Sequence, residues 1–226
     1  MQILLLRVGI DLGTGGALGP IFPDRSFEYV PIPESKPSSR SVKYSNINAR
    51  SGGTLDQFVP LNILIDGGYA HLDPEFETFT YGDPTKNKRG QLLRLREGDM
   101  LVFYAGLRPP AQRKGSVLYL IGFFTVACVY DVSHRQSWPP PDLQHLWANS
   151  HFRRSTPDEG LAVVQGKRDG SRLLARAVPL SDEHQNILPE LCDTLGLDGS
   201  IKRCGAGRWV PDYWVRRTAE WILSHL

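Results

Sequence analysis

Two long apolar segments in the middle of the chain restrict its fold most. Met100–Leu107 (MLVFYAGL) and Ser116–Val132 (SVLYLIGFFTVACVYDV) are rich in β-branched and aromatic residues, which favour strands over helices. The proline-containing turn Arg108–Gly115 separates them. Gly122, inside the second segment, indicates a bulge or a close approach of another backbone. These features predict a β-sheet at the centre of the molecule.

Shorter signals predict further strands on both sides of this centre. Met1–Val8 is a short apolar run that ends at a glycine, which is typical of a buried strand. A second short strand is expected around Phe27–Ile32, followed by an irregular connection rich in proline and serine. In Leu161–Leu174, two apolar runs flank Asp169-Gly170, a strong tight-turn signal, and therefore predict a β-hairpin.

Helices are predicted mainly in the last third of the chain, over Asp142–Phe152, Ile187–Leu197 and Pro211–Leu226. The last is the clearest, because proline suits a first helical turn and apolar residues recur at helical spacing. A strand-rich beginning and a helix-rich end indicate an α+β fold. We expect a single domain over residues 1–226, with the helical part starting near residue 185.

Composition restricts the function only broadly. The chain has 226 residues, 41% of them hydrophobic, and a formal net charge of +2, which neither requires nor excludes a nucleic-acid partner. Its three cysteines match no zinc-binding spacing, and their odd number does not suggest a disulfide framework. No segment approaches the roughly 18 apolar residues of a membrane span. We therefore expect a cytoplasmic protein with reduced thiols, no membrane contact and no cofactor.

The first strand runs into the glycine-rich stretch GIDLGTGG, Gly9–Gly16. Such a loop can cradle a phosphate, approach a ligand closely or simply turn the chain. Pro20 and Pro23 occupy the place where a dinucleotide-binding fold would begin its helix, and no Gly-rich loop ends in Lys-Ser or Lys-Thr. Asp11 is either a turn cap or a polar contact to a ligand. Gly13, Thr14 and Gly15 are the candidate ligand-binding residues of this loop.

A second polar stretch, HLDPEFETFTYGD, lies in a long segment with weak periodicity. Long irregular segments inside a domain are often functional. Asp73 precedes a proline, which favours an extended backbone and fixes the direction of its carboxylate. Asp73 either forms a local turn or lines a pocket together with Tyr81 and Gly82.

A third candidate region is the end of WANSHF, which contains Asn149 and His151. His151 is a candidate for acid–base work, because an unperturbed histidine titrates near neutral pH. The alternative is a helix-terminal histidine that bonds free carbonyl groups. Residues two apart on a helix do not share a face, so Asn149 and His151 serve one site only if the helix ends at these residues. No histidine pair has metal-ligand spacing with a carboxylate, so no metal is expected.

Basic residues cluster in loops between the predicted strands. If these loops gather on one side, their cations would form a rim that contacts nucleic-acid phosphates. The alternative is ordinary solvated loop charge. The candidate rim residues are Arg89, Arg113, Lys114 and Arg153.

Four stretches of the chain, in this order, resemble the third nucleotide-modification-associated domain family. They are RVGIDLGTGGALGPIFPDRSFEYVPIPE, HLDPEFETFTYGD, GDMLVFYAGL and VLYLIGFFTV. The resemblance extends from about Arg7 to the C-terminal helix. It implies a part in the modification of DNA bases, often in phage and bacterial mobile systems.

GDMLVFYAGL and VLYLIGFFTV also resemble the central strands of PUA-like domains, the class of the EVE, ASCH and YTH modules. This resemblance implies a mixed, partly barrelled sheet whose pocket accepts one modified base. Aromatic walls for stacking would come from side chains such as Tyr104 and Phe123. Strand alternation places Phe103 and Tyr104 on opposite faces, so one of these two belongs to the core.

Three functions follow as hypotheses. The first, which we prefer because no nucleophile stands in a recognisable setting, is recognition of a modified base or nucleotide within a base-modification or phage-defence system. The second is an enzyme that acts on a modified nucleotide or DNA base through Asp11, Asp73 and His151. The third is an interaction subunit that binds partner proteins of such a system. We predict that the glycine loop, the Asp73–Gly82 segment and the Asn149–His151 helix end meet at one pocket.

Overall fold

Two long neighbouring strands, β7 (Met100–Arg108) and β8 (Val117–Asp131), form the centre of the fold, as the sequence predicts. The computed structural model describes residues 1–112, 114–132, 137–202 and 205–226. β7 and β8 are antiparallel, and their register shifts where Gly122 pairs with Phe103. A Cβ at Gly122 would lie 2.6 Å from the carbonyl oxygen of Arg172, which confirms the expected close backbone approach.

The other strands of the large sheet are β1 (Ile3–Arg7), β2 (Gly19–Pro20), β6 (Thr80–Asp83), β9 (Ala162–Gly166), β10 (Arg172–Pro179) and β11 (Arg208–Trp209). The sheet is mixed, in the order β11-β1-β7-β8-β9-β6, with β2 also paired to β7 and β10 to β8. β1 runs parallel to β7, whereas β8, β9 and β6 are successively antiparallel. Within the described residues this sheet does not close into a barrel.

A smaller antiparallel sheet has the order β3-β5-β4. Its strands are β3 (Ile32–Pro33), β4 (Val42–Lys43) and β5 (Tyr69–His71). The strand expected around Phe27–Ile32 is therefore wrong in its bounds, because Phe27 forms only an isolated bridge with Ile21. β5 is important for the site, since it ends at His71.

The helices are short and lie mostly towards the C-terminal end. They are α1 (Leu61–Ile65), α2 (Lys86–Leu92), α3 (Ser150–Arg153), α4 (Pro189–Leu195) and α5 (Val215–Leu223). Single 3₁₀ turns cover Tyr44–Asn46, Leu55–Phe58, Pro141–Leu146, Arg168–Gly170 and Asp212–Trp214. The content of strands and helices confirms the α+β class. None of the helices in the described ranges is long and apolar enough to span a bilayer.

The hydrophobic core lies on both faces of the large sheet. One face packs against α4 and α5 and includes Tyr104 and Phe123, whereas the other includes Phe103 and Phe124. Phe103 and Tyr104 thus point to opposite faces, as strand alternation predicts. Both are core residues, each about 1% exposed or less.

The hairpin predicted over Leu161–Leu174 is wrong. β9 and β10 are adjacent in sequence and joined at Arg168–Gly170, but each pairs with a different part of β8. β9 pairs along Val126–Asp131, and β10 pairs along Tyr119–Phe123. A strand of 15 residues offers enough length for two successive partners on one edge, so the tight-turn signal did not determine the pairing.

Candidate active site

A cavity of about 280 Å³ lies where the end of β1, the end of β5, β6 and α3 come together. The glycine loop, the segment after His71 and the first turn of α3 all contribute to its wall. The lining side chains are mostly polar or charged. They are Arg7, Asp11, Thr14, His71, Asp73, Tyr81, Asp83, Thr85, Lys88, His151 and Arg154, together with Val8, Gly9, Ile32, Gly82 and Pro84.

Asp73 is fixed by two hydrogen bonds to one of its carboxylate oxygens. Oδ1 accepts a bond from the backbone N–H of Gly82 at 2.7 Å and another from Nδ2 of Asn149 at 2.5 Å. Oδ2 lies 3.8 Å from Nε2 of His151, which is longer than a hydrogen bond. The side chains of Asp73 and His151 are 5% and 4% exposed.

Asn149 positions His151 as well as Asp73. It is the N-cap of α3, and its side-chain oxygen accepts a bond from the backbone N–H of His151 at 3.0 Å. The expected helix over Asp142–Phe152 is therefore wrong, because a 3₁₀ turn ends at Leu146 and α3 starts only at Ser150. Asn149 and His151 belong to one site because a helix begins there, not because one ends.

A buried carboxylate holds each of the two histidines at Nδ1. His71 Nδ1 lies 2.7 Å from Oε2 of Glu34, and His151 Nδ1 lies 2.7 Å from Oδ2 of Asp158. An ionised carboxylate can only accept a hydrogen bond, so each of these contacts places a proton on Nδ1 and leaves Nε2 for another partner. The two rings are nearly perpendicular, with centroids 4.7 Å apart.

Arg154 connects the two histidine–carboxylate pairs. Its Nη2 donates to Oε1 of Glu34 at 2.7 Å, and its Nη1 donates to Oδ2 of Asp158. Lys36 donates to the other oxygen of Asp158 at 2.8 Å. Two buried carboxylates are therefore paired with two cations, as the cost of burying charge requires.

The electrostatics of the network favour ionised carboxylates and a charged His151. Burial opposes ionisation of Glu34, but His71 and Arg154 outweigh it and lower its pKa to about 2. Burial also opposes ionisation of Asp158, yet His151, Lys36 and Arg154 hold the pKa of this carboxyl well below its usual range. For His151, burial disfavours the cation, but the carboxylates of Asp158 and Asp73 raise its pKa to about 9.

Three groups at the cavity wall could hold a metal ion. One ligand atom each from His71, Asp73 and His151 lies within 4.8 Å of the other two, and all three groups are buried. The sequence expectation of no metal depended on the lack of ligand spacing along the chain. This reasoning does not apply to the structure, because the ligand atoms come from two segments that are far apart in the sequence.

Three backbone N–H groups of the glycine loop are already bonded within the turn and are not free to bind a phosphate. Oδ1 of Asp11 accepts bonds from the N–H groups of Gly13 and Thr14, each at 2.8 Å, and from the Thr14 hydroxyl at 2.9 Å. The N–H of Gly15 bonds the carbonyl oxygen of Asp11 at 2.9 Å. Asp11 is therefore the cap of this turn, and Asp11 and Thr14 also line the cavity.

Tyr81 and Gly82 reach the cavity from β6. Tyr81 is 3% exposed, and burial raises the pKa of its hydroxyl well above the ordinary value. Its hydroxyl lies 3.3 Å from Oδ2 of Asp83. A Cβ at Gly82 would lie 2.9 Å from Cδ2 of His151, so only glycine fits beside that ring without a shift.

The side chains suggested as aromatic walls lie in the core and not at this cavity. Tyr104 and Phe123 are each 1% exposed and belong to the core that packs against α4 and α5. The Tyr104 hydroxyl donates to the carbonyl oxygen of Ile201 at 3.0 Å. These side chains are therefore structural and do not present a face to a ligand.

The candidate cations that the structure describes, Arg89, Lys114 and Arg153, do not line this cavity either. Arg89 is 2.6 Å from Asp131, Arg153 donates to the carbonyl oxygens of Ala148 and Arg40, and Lys114 is exposed. Arg113 lies outside the described residues. The cations that do line it are Arg7, Lys88 and Arg154.

Sequence reasoning missed four residues of this site, His71, Glu34, Arg154 and Asp158. One local signal was available for the first. In an extended chain, residues two apart point to the same side, so His71 and Asp73 form a pair of potential ligands next to a strand end. The other three gave no local signal, because they reach the site only through tertiary contacts.

The fold and the site define an α+β protein with a buried histidine–carboxylate cluster at the wall of a cavity. The model of the nucleotide modification associated domain 3 family matches residues 2–220, and the chain belongs to this family. The match confirms the family to which the sequence motifs were similar. No curated protein and no solved structure matches the chain.

Proposed function

We propose that this protein is an enzyme that acts on a nucleotide or on a base in nucleic acid, with His71, Asp73 and His151 at its catalytic centre. The observation that carries this proposal is the buried cluster itself. Titratable groups of opposite charge lie within a few ångströms of one another at the wall of a cavity. Perturbed pKa values at such a position are typical of catalytic sites.

Membership of the nucleotide modification family supports a substrate of this class. The cavity volume of about 280 Å³ is close to the lower end of small-molecule pockets, about 300 Å³. A single nucleotide or one extruded base suits this size better than a larger ligand.

Cationic and hydroxyl groups at the cavity support recognition of a phosphate or a polar base edge. The Arg7 side chain is 10% exposed, and its Nε has no hydrogen-bond partner among the described residues. An oxygen atom of a ligand in the cavity would be attracted to this guanidinium group. Lys88 and Thr85 lie on the same wall.

The preferred hypothesis from sequence, recognition without turnover, has less support than an enzyme. That hypothesis needed aromatic walls for stacking, and the aromatic side chains suggested for it are core residues. An enzyme needs titratable groups held in fixed positions, which the contacts of Glu34 and Asp158 provide.

The test is to incubate the protein with free nucleotides and with modified and unmodified DNA, and to analyse the nucleosides by mass spectrometry. Wild-type protein is expected to give a product, and His151→Gln to slow its formation by at least about 100-fold. His184→Ala, in an exposed histidine, is the matched control and should retain activity.

If a substrate binds but none of the substrates gives a product, the result would contradict the enzyme proposal and favour recognition. The source of the substrate can be distinguished in the same experiment. If DNA is the substrate, product formation should fall steeply with added salt, because phosphate contacts release counterions. Turnover of a free nucleotide should depend on salt much less.

A further inference from the structure

We propose that His71, Asp73 and His151 bind one divalent transition-metal ion, with its remaining coordination positions open to the cavity. This proposal deepens the proposed function and rests on it for the role of the ion, although binding of the ion can be tested independently.

The donor atoms that a metal would use are the ones that the surrounding network leaves unoccupied. Glu34 and Asp158 bond Nδ1 of the two histidines, so Nε2 is the nitrogen of each ring that is left for a metal ion, which takes the place of any proton there. Among the described residues, no hydrogen bond reaches Nε2 of His71. In Asp73, Gly82 and Asn149 both bond Oδ1, which leaves Oδ2 facing Nε2 of His151 at 3.8 Å.

The separations suit a shared ion. Bonds of about 2.1 Å from a metal to nitrogen or oxygen at a tetrahedral angle place two ligand atoms about 3.4 Å apart. The three ligand atoms lie within 4.8 Å of one another, so any pair has to close by at most about 1.4 Å for all three to bind one ion. A direct hydrogen bond between Asp73 and His151 would be shorter than the observed 3.8 Å.

The supporting contacts are those that metal-binding histidines need. A ligating imidazole normally donates its other N–H to a carboxylate, which fixes its tautomer and its direction. Both histidines do so here, and Arg154 holds the two carboxylates in place through Glu34 Oε1 and Asp158 Oδ2. The same support is therefore present at both histidines.

The type of ion follows from the donors. Two imidazoles and one carboxylate suit Fe²⁺, Zn²⁺, Mn²⁺ or Co²⁺, whereas Mg²⁺ and Ca²⁺ prefer oxygen donors alone. Three protein ligands leave positions for water or substrate, which distinguishes a catalytic site from a closed structural one. All three ligand residues line the cavity, so these open positions face the space for the substrate.

The first experiment measures binding of Co²⁺ and Zn²⁺ to chelator-treated protein by calorimetry, by elemental analysis and by the visible spectrum of the Co²⁺ form. We expect one ion per chain. Asp73→Asn should reduce the affinity at least about 100-fold, and Glu34→Gln about 10–100-fold through the orientation of His71. His184→Ala should bind like the wild type.

A second measurement needs no variant and therefore does not depend on whether a substituted protein folds. In the Co²⁺ protein, the Nδ1–H protons of His71 and His151 should give two exchangeable, strongly shifted NMR signals. Absence of stoichiometric binding, or binding that lacks these signals and is unchanged in Asp73→Asn, would overturn the metal proposal.

The two proposals fail in different ways. Stoichiometric metal binding without any nucleotide product would support the metal site and contradict the proposed function. Product formation by protein shown to be metal-free would support the function and contradict a role of the ion in the reaction.

Discussion

His71 and His151 meet edge to face, with ring centroids 4.7 Å apart, although they come from distant parts of the chain. His71 ends β5 of the small sheet, and His151 lies in the first turn of α3. Nδ1 of each ring lies 2.7 Å from an oxygen of its own buried carboxylate, Glu34 for His71 and Asp158 for His151. The site therefore depends on how the small sheet, α3 and the loop that contains Asp158 are held together.

Arg154 is the residue that holds them together, which gives the first prediction. Arg154→Met should destabilise the protein by about 3–5 kcal/mol, because it leaves Glu34 and Asp158 buried without their shared cation. Urea unfolding measures the change. The matched control is Arg216→Met, since Arg216 pairs with Glu220 at 2.9 Å but its side chain is 91% exposed. Equal stability of both variants would show that the network does not contribute to folding.

Gly82 gives a second prediction, because it lies against the ring of His151. In Gly82→Ala, the new Cβ would lie 2.9 Å from Cδ2 of His151 and 3.1 Å from Cδ1 of Leu161. The imidazole must shift, so we expect Co²⁺ affinity to fall at least about 10-fold and stability to fall by about 1–3 kcal/mol. Calorimetry and urea unfolding measure these two effects.

The control for that substitution is Gly90→Ala. Gly90 lies within α2, and a Cβ there would meet nothing within 4 Å. Alanine is the better helix former, so this variant should be as stable as the wild type or up to about 1 kcal/mol more stable. Unchanged Co²⁺ affinity in Gly82→Ala would indicate that the position of the His151 ring is not important for the metal.

The aromatic core gives a third prediction, which separates stability from function. Phe123→Leu should cost about 1–2 kcal/mol of stability through lost packing, and Tyr104→Phe about 1–3 kcal/mol through the unpaired carbonyl of Ile201. Neither should change the affinity for a nucleotide in the folded protein. Tyr213→Phe, in a side chain that is 88% exposed, is the control for the hydroxyl. Weaker binding in Phe123→Leu at full folding would restore the aromatic-wall hypothesis, because that substitution removes the ring.

Much of the fold could be predicted from the sequence, because its central signals are local. Met100–Arg108 and Val117–Asp131 are strands by residue type alone, and Gly122 marks the close approach of Arg172. The partners of a strand are a different question. β9 and β10 flank a tight-turn sequence, yet both pair with β8 and not with each other. The length of β8 allows this pairing, and the turn residues do not predict it.

The site was predictable only in part, for a related reason. Asp73 and His151 stand out as polar groups in irregular segments, and both reach the cavity. Glu34 lies in a proline- and serine-rich connection, and Asp158 follows α3 in a loop, so neither shows its role locally. Their burial, at 9% and 4% exposure, is the property that identifies them, and burial follows from tertiary packing.

Asp11 gives the last prediction, which tests whether the glycine loop only turns the chain. Asp11 and Asp24 are both turn carboxylates: Oδ1 of Asp11 accepts bonds from Gly13 and Thr14, and Oδ1 of Asp24 accepts two from Ser26. Asp11 also lines the cavity and lies 3.6 Å from Arg7. Substitution by alanine should therefore destabilise the protein similarly at the two positions, because each variant loses the same kind of turn bonds. Only Asp11→Ala should change the Michaelis constant for the nucleotide, since it frees Arg7 to move at the cavity wall. If both variants keep the wild-type constant while losing stability alike, the glycine loop is a structural turn and the ligand contacts lie elsewhere on the cavity wall.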